Sequence, residues 1–171
     1  MRQIHYCVAM SLDGFIAGPN DEYDWILMDP DIDFESYMGR FDTYVMGRKT
    51  FEIAGSGSSS GSKTIVVSRT LKNGEYPDIE VIRDDLENAI KELCKQPGKN
   101  IWLFGGGKLF GSLLDLGLVD VVDVSIIPIL LGSGVPFLQP GSKRARLRLL
   151  KSRVYEKTGT VSLEYAVDRA A

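Results

Sequence analysis

Three consecutive glycines break an apolar run in "IWLFGGGKLFGSLL" (101–114), and a lysine and a helix-like segment follow them. Glycines between a buried strand and a helix let the backbone approach a ligand closely and aim free N–H groups at it. The helix N-terminus adds a potential that favours an anion. Gly105, Gly106, Gly107 and Lys108 therefore read as a cradle for a phosphate or pyrophosphate, with a tight structural turn as the alternative. The spacing matches neither common nucleotide pattern. The next glycine falls at Gly111, and Lys108 is followed by Leu109 where a Walker loop has a hydroxyl.

A second strand-to-helix junction has the same chemistry. "YVMGRKTFE" (44–52) runs from a strand into Gly47 and opens a helix with Arg48, Lys49 and Thr50. Two cations and a hydroxyl beside free helix N–H groups suit a phosphate; a charged first turn facing water is the plainer reading. A third apolar run, "TIVVSRT" (64–70), ends in Ser68, Arg69 and Thr70. An arginine and hydroxyls at a strand end are what a ribose 2′-phosphate requires, the group that separates NADP from NAD.

The elements that must hold these residues follow from periodicity. Apolar, β-branched runs at 3–10, 43–47, 64–68, 79–83, 100–104, 121–128, 145–156 and 160–167 predict strands. Helices are predicted at about 32–39, 48–54, 85–96 and 107–116. In the third, Leu86, Ile90 and Leu93 share one face behind an N-cap at Asp84 or Asp85. Alternation of the two element types predicts an α/β layered fold with a mainly parallel sheet. The last two strands adjoin through "KTGT" and should form an antiparallel hairpin.

With 171 residues, 44% hydrophobic and 25% charged, the chain is expected to form one domain spanning 1–171. No apolar stretch approaches the roughly 18–20 residues of a membrane span, so no membrane partner is expected. "MRQIHYCVAMSLDG" is too soon polar for a secretory signal, which predicts a cytoplasmic protein whose chain starts in a core strand. Cys7 and Cys94 lack metal or disulfide spacing, and no metal is expected. A net charge of −3 argues against nucleic acid as a partner. The basic segment "KRARLRLLKSR" (143–153) alternates Arg144, Arg146 and Arg148 with Ala145, Leu147 and Leu149. It reads as a half-buried strand with a solvated face, or as a site for an acidic substrate or partner. "GSGSSSGSK" (55–63) reads as a flexible surface loop within the domain. His5, the only histidine, lies mid-strand and reads as structural, which leaves no histidine-based triad.

Taken in order, "MSLDGFIAG" (10–18), "YVMGRKTFE" (44–52), "VVSRT" (66–70), "WLFGGGKLFGSLL" (102–114) and "SIIPILLGSGVPFL" (125–138) resemble the dihydrofolate reductase-like superfamily. The closer resemblance is to the branch containing the reductase domain of bacterial riboflavin biosynthesis. That resemblance implies a three-layer fold and NADPH as hydride donor. Gly47, Arg48, Lys49 and Thr50 would hold cofactor phosphates, and Ser68 and Arg69 would meet the 2′-phosphate. Gly106, Gly107, Lys108 and Leu109 would wrap the pyrophosphate, and Ala9, Ile16 and Ala17 would lie near the nicotinamide. Ser11 and Asp13 would form the loop beside the active site, and Ser125 would supply a substrate-side hydroxyl. Trp25 would either cap the cleft or pack as an ordinary aromatic.

Dihydrofolate reductases carry a carboxylate on the first helix that binds the pterin and supports protonation. Asp31, Asp33 and Glu35 compete for that position, with Asp31 or Asp33 favoured; an N-cap and first-turn role explains the same residues. The Gly132-Ser133-Gly134 turn favours the riboflavin-type branch and a small pyrimidine, pterin or ribose-linked substrate. The zinc deaminase motifs that accompany the riboflavin enzyme are absent. A true dihydrofolate reductase and an inactive NADP-binding regulator remain as alternatives. Relatives in this branch are commonly dimers, which implies a homodimer built on the apolar C-terminal third.

Overall fold

The computed structural model describes residues 1–55, 61–72 and 74–168. Most of the Gly/Ser run expected as a surface loop, residues 56–60, lies outside the described residues. The elements in chain order are β1 (Ile4–Ser11), β2 (Phe15–Ala17), α1 (Phe34–Met38), β3 (Phe41–Gly47), α2 (Arg48–Ala54), β4 (Lys63–Val67) and β5 (Ile79–Ile82). There follow α3 (Leu86–Lys95), β6 (Asn100–Gly105), α4 (Gly107–Asp115), β7 (Val121–Ile127), β8 (Val135–Pro136), β9 (Arg146–Tyr155) and β10 (Thr160–Asp168).

Eight strands form one sheet in the order β5-β4-β3-β6-β1-β7-β10-β9. Pairings from β5 through β7 are parallel, whereas β10 runs antiparallel to both β7 and β9. This is the mixed, mostly parallel sheet with a C-terminal hairpin and four helices that the element pattern predicts. The central strands are apolar on both faces, as parallel strands covered on both sides must be. One face packs Tyr6, Ile90, Leu93, Phe110 and Leu113 around α3 and α4. There the Tyr6 and Phe110 rings stack at 3.9 Å between centroids. The other face buries Tyr44, Met46, Val66 and Leu71. Each fully buried side chain of this size contributes about 1.5–3 kcal/mol relative to exposure.

Two features differ from expectation. The short ladder β2–β8 pairs Phe15 with Pro136 and Ala17 with Val135, and it lashes two loops together beside the main sheet. Strands of two and three residues carry no readable alternation. The basic strand β9 is an edge, paired only with β10, and Arg146 through Val154 are exposed rather than half-buried. No helix covers that end of the sheet among the described residues, so Leu147, Leu149, Leu150 and Val154 stand 43–62% exposed. No helix among the described residues is long and apolar enough to cross a membrane.

Candidate functional site

In an open parallel sheet the C-terminal strand ends converge on a crevice where the strand order switches direction. Here β6 lies between β3 and β1, and the ends of these strands border one cavity of about 1340 Å³. Its wall brings together Ala9, Ile16, Ala17, Gly47, Arg48, Lys49, Thr50, Ser68, Arg69, Gly106, Gly107, Lys108, Leu109 and Ser125. Gly105 is buried immediately behind, with φ at +133°, a conformation that favours glycine. The Gly105–Gly106 peptide is cis.

The glycine loop leads into α4 with Gly106 as N-cap, and no side chain caps the first turn. A Cβ on Gly107 would fall 2.3 Å from the Pro136 carbonyl oxygen, so this position tolerates no side chain. A Cβ on Gly106 would instead meet only Thr50 Oγ1 at 3.7 Å and Ile16 Cδ1 at 3.9 Å. Both neighbours line the cavity, so that methyl would occupy space open to a ligand. Nearby, Arg48 Nη1 donates to Thr70 Oγ1 at 2.8 Å, and Lys49 Nζ pairs with Asp21 Oδ1 at 2.9 Å. Ser68 Oγ accepts from the Leu71 and Thr70 amides, fixing the turn that presents Arg69. Arg83 Nη2 donates to the Arg69 carbonyl at 3.1 Å, placing a second guanidinium at the same strand ends.

Among the described residues, eight lysines and arginines line the cavity against three acids, Asp21, Asp123 and Glu164. The chain as a whole is −3, so positive charge is concentrated here. An uncapped helix start, a glycine cradle and this excess fit a dinucleotide phosphate chain together with a 2′-phosphate.

The opposite end of the cavity is floored by the sheet itself. Pairing registers align Ala9, Ser125, Ser162 and Arg153 in one lateral row, and Cys7, Asp123, Glu164 and Lys151 in the next. Asp123 is 5% exposed. Its Oδ2 accepts from Tyr37 Oη at 2.9 Å and lies 3.5 Å from Arg40 Nη1, while Arg40 Nη2 meets Glu164 Oε2 at 3.0 Å. Burial, with the neighbouring Glu164, pushes the Asp123 carboxyl above its ordinary range against the opposing pull of Tyr37 and Arg40. Burial and then Arg40 lower His5 to about 4, so its ring is neutral near neutrality. Burial also raises the Cys7 thiol and the Tyr37 hydroxyl, which keeps both protonated. Above this floor sits an apolar rim that includes Ile26, Leu27, Met28, Ile32, Phe34 and Ile53.

Asp31, Asp33, Glu35, Trp25, Ser11 and Asp13 are not on the cavity wall. Asp33 is the N-cap of α1 and accepts from the Ser36 amide, and exposed Asp31 pairs with Lys157 at 2.7 Å. Trp25 Nε1 donates to the Glu22 carbonyl at 3.1 Å. Ser11 Oγ donates to Asp13 Oδ1, and Asp13 accepts from the Leu131 and Gly132 amides, tying two loops together. Tyr37, Arg40, Arg83, Asp123, Ser162 and Glu164 line the cavity outside the site residues read from sequence, and Lys151 and Arg153 line it from the basic segment 143–153, whose second reading is a site for an acidic substrate or partner. Asp123 carried a signal, as the lone acid within the buried run "VVDVSII". Glu164 did not, because only cross-strand pairing brings it there.

Comparison with known proteins agrees with this architecture. The family model of the RibD C-terminal domain matches residues 2–161. Protein YyaP of Bacillus subtilis strain 168 is 35% identical over 179 aligned residues, covering 96% of this chain and 94% of YyaP. The crystal structure of a protein assigned to riboflavin biosynthesis in Shewanella sp. PV-4 superposes with a TM-score of 0.82 at 27% identity, covering 99% of this chain and 100% of that one. Dihydrofolate reductase from Enterococcus faecalis, solved with NADP(H), shares the fold at a TM-score of 0.73 and 18% identity, covering 98% of this chain and 97% of that one. The chain belongs to the RibD C-terminal domain family.

Proposed function

We propose that this protein is an NADPH-dependent reductase of a small heterocyclic or ribose-linked substrate, pyrimidine- or pterin-like. The observation that carries this reading is one cavity with glycines, cations and an uncapped helix start at one end and a polar sheet floor at the other. Gly106, Gly107, Lys108 and Leu109 wrap the pyrophosphate, with Gly105 setting the turn beneath them. Gly47, Arg48, Lys49 and Thr50 hold the neighbouring phosphate oxygens, and Ser68 and Arg69 receive the 2′-phosphate. Ala9, Ile16 and Ala17 would offer a small, apolar surface to the nicotinamide. When bound, the reduced cofactor supplies the hydride.

The chain's own contribution is to hold the acceptor against that ring and to keep water out. Ser125 and Ser162 offer hydroxyls to substrate heteroatoms, and the apolar rim closes over the reacting face. Ser11 and Asp13 hold the adjoining loop in shape. The same reading takes residues 1–171 as one cytoplasmic domain acting as a homodimer, with the exposed apolar residues of β9 at the interface. The experiment is an acceptor screen with NADPH, following loss of reduced-nicotinamide absorbance over pterins, aminopyrimidine ribosides and dihydrofolate. Turnover of one of these compounds supports the proposal; NADPH binding without any acceptor points instead to a regulatory protein.

A further inference from the structure

We propose that Asp123 and Glu164 share one proton on the cavity floor, and that the pair docks and protonates a basic ring nitrogen of the substrate. The role as proton source rests on the reductase reading above; the shared proton itself does not.

Asp123 and Glu164 are direct partners across the antiparallel β7–β10 ladder, on the face that opens into the cavity. Like charges in that relation repel, and an apolar surrounding makes the repulsion larger. The groups that face the pair come from every neighbouring element. Tyr37 on α1 donates to Asp123, Arg40 before β3 spans both acids, His5 and Cys7 lie on β1, and Lys151 on β9 pairs with Glu164 in register. Arg40 supplies one positive charge at the pair; His5 is neutral, Cys7 is a protonated thiol, and Lys151 is exposed to solvent. Two ionised carboxylates therefore leave a negative charge uncompensated at a buried position, whereas one shared proton balances the cluster.

The position suits proton delivery. Residues two apart on a strand lie roughly 6.6 Å apart, so the pair sits one row from Ala9 and Ser125. A heterocycle held over Ser125, beside the nicotinamide, can reach it with a ring nitrogen. When a C=N carbon of the substrate receives hydride, its π pair moves to nitrogen. The carboxyl O–H bond then breaks and an N–H bond forms. The carboxylate left behind keeps the Tyr37 hydroxyl and the Arg40 guanidinium as partners, so the new charge is stabilised where it forms.

Two measurements test this. Side-chain carboxyls labelled with carbon-13 are titrated by NMR in the wild type, Asp123→Asn and Glu164→Gln. We expect two coupled steps, the upper one above the ordinary carboxylate range, reduced to a single step in each variant. Ordinary, independent titration of both acids overturns the shared proton. In parallel, 2,4-diaminopyrimidine is bound at a pH where the free compound is neutral, and its ultraviolet spectrum is recorded. The protonated spectrum in the wild type, with affinity at least about tenfold weaker in Asp123→Asn, supports the docking role. A neutral bound spectrum, or no binding, overturns that role. NADPH fluorescence with the wild type separates the two readings: failure to bind removes the cofactor assignment and leaves the carboxyl titration to decide the shared proton.

Discussion

Asp123 and Glu164 face each other directly across the β7–β10 ladder, and the Arg40 guanidinium reaches both carboxylates, at 3.5 Å and 3.0 Å. An acid in the middle of a buried strand costs stability unless it is paired or protonated. Here it sits in the floor of the cavity of about 1340 Å³ that the strand ends border.

That placement predicts a pH dependence. Burial raises the Asp123 pKa above its unfolded value, so its favourable contribution is complete below the usual carboxylate range and is lost as pH rises through the folded value. Asparagine mimics the protonated acid and still accepts from Tyr37. Asp123→Asn should match the wild type in thermal stability near pH 4 and exceed it near pH 8. Each kcal/mol of difference moves the midpoint by about 2–4 °C in a chain of this size. A constant offset between variant and wild type across that range would contradict the raised pKa.

The opposite slope belongs to Asp29. Desolvation works to raise this buried carboxyl, but hydrogen bonds from the Asp31 amide and from the Thr158 amide and hydroxyl outweigh it, and Lys157 adds to them. Its pKa is lowered, so the stability it supplies is present above the usual carboxylate range and is lost as pH falls through the folded value. Asp29→Asn should therefore unfold in less denaturant at pH 7 and converge with the wild type as the pH falls below the usual carboxylate range. Equal midpoints at pH 7 would show that the β9–β10 turn does not depend on this carboxylate.

The two glycines at the head of α4 should separate folding from binding. In Gly107→Ala the new methyl meets the Pro136 carbonyl, with no flexible side chain to yield, and overpacking of this kind costs about 1–3 kcal/mol. In Gly106→Ala the methyl has only ordinary contacts and enters the cavity beside Thr50 and Ile16. This variant should keep its thermal midpoint and bind NADPH at least about tenfold more weakly. Unchanged NADPH affinity in Gly106→Ala would mean that the loop is a turn and no more.

Much of this site is legible in the sequence because its signals are local. Glycines at a strand end, cations in the first turn of α2 and hydroxyls after β4 can each be read within a few residues, and the strand order then gathers them at one cavity. The carboxyl pair is not legible in that way, since Asp123 and Glu164 meet only through the register of a ladder. Asp31 and Asp33 show the converse. Both are acids at a helix start, and their types alone could not separate an N-cap and a surface ion pair from a group aimed at substrate. Strand β9 was predicted from its alternation, but its exposure depends on what covers the sheet edge, which no alternation encodes.

That exposed edge carries the dimer proposal. Leu149 is 51% exposed and pairs with Tyr165 at the irregularity in the β9–β10 ladder. A charge there should break an apolar interface without disturbing the cavity floor. Solution scattering should give a dimer mass for the wild type and a monomer mass for Leu149→Glu. A monomeric wild type would remove the proposal.

The most direct test of the cofactor assignment is a titration of the purified protein with NADPH and, separately, NADH, following nicotinamide fluorescence, repeated with Arg69→Ala. Tight NADPH binding, weak NADH binding and loss of that preference in the variant are the expected results. Binding of neither dinucleotide would contradict the assignment and return the glycine loop to a purely structural turn.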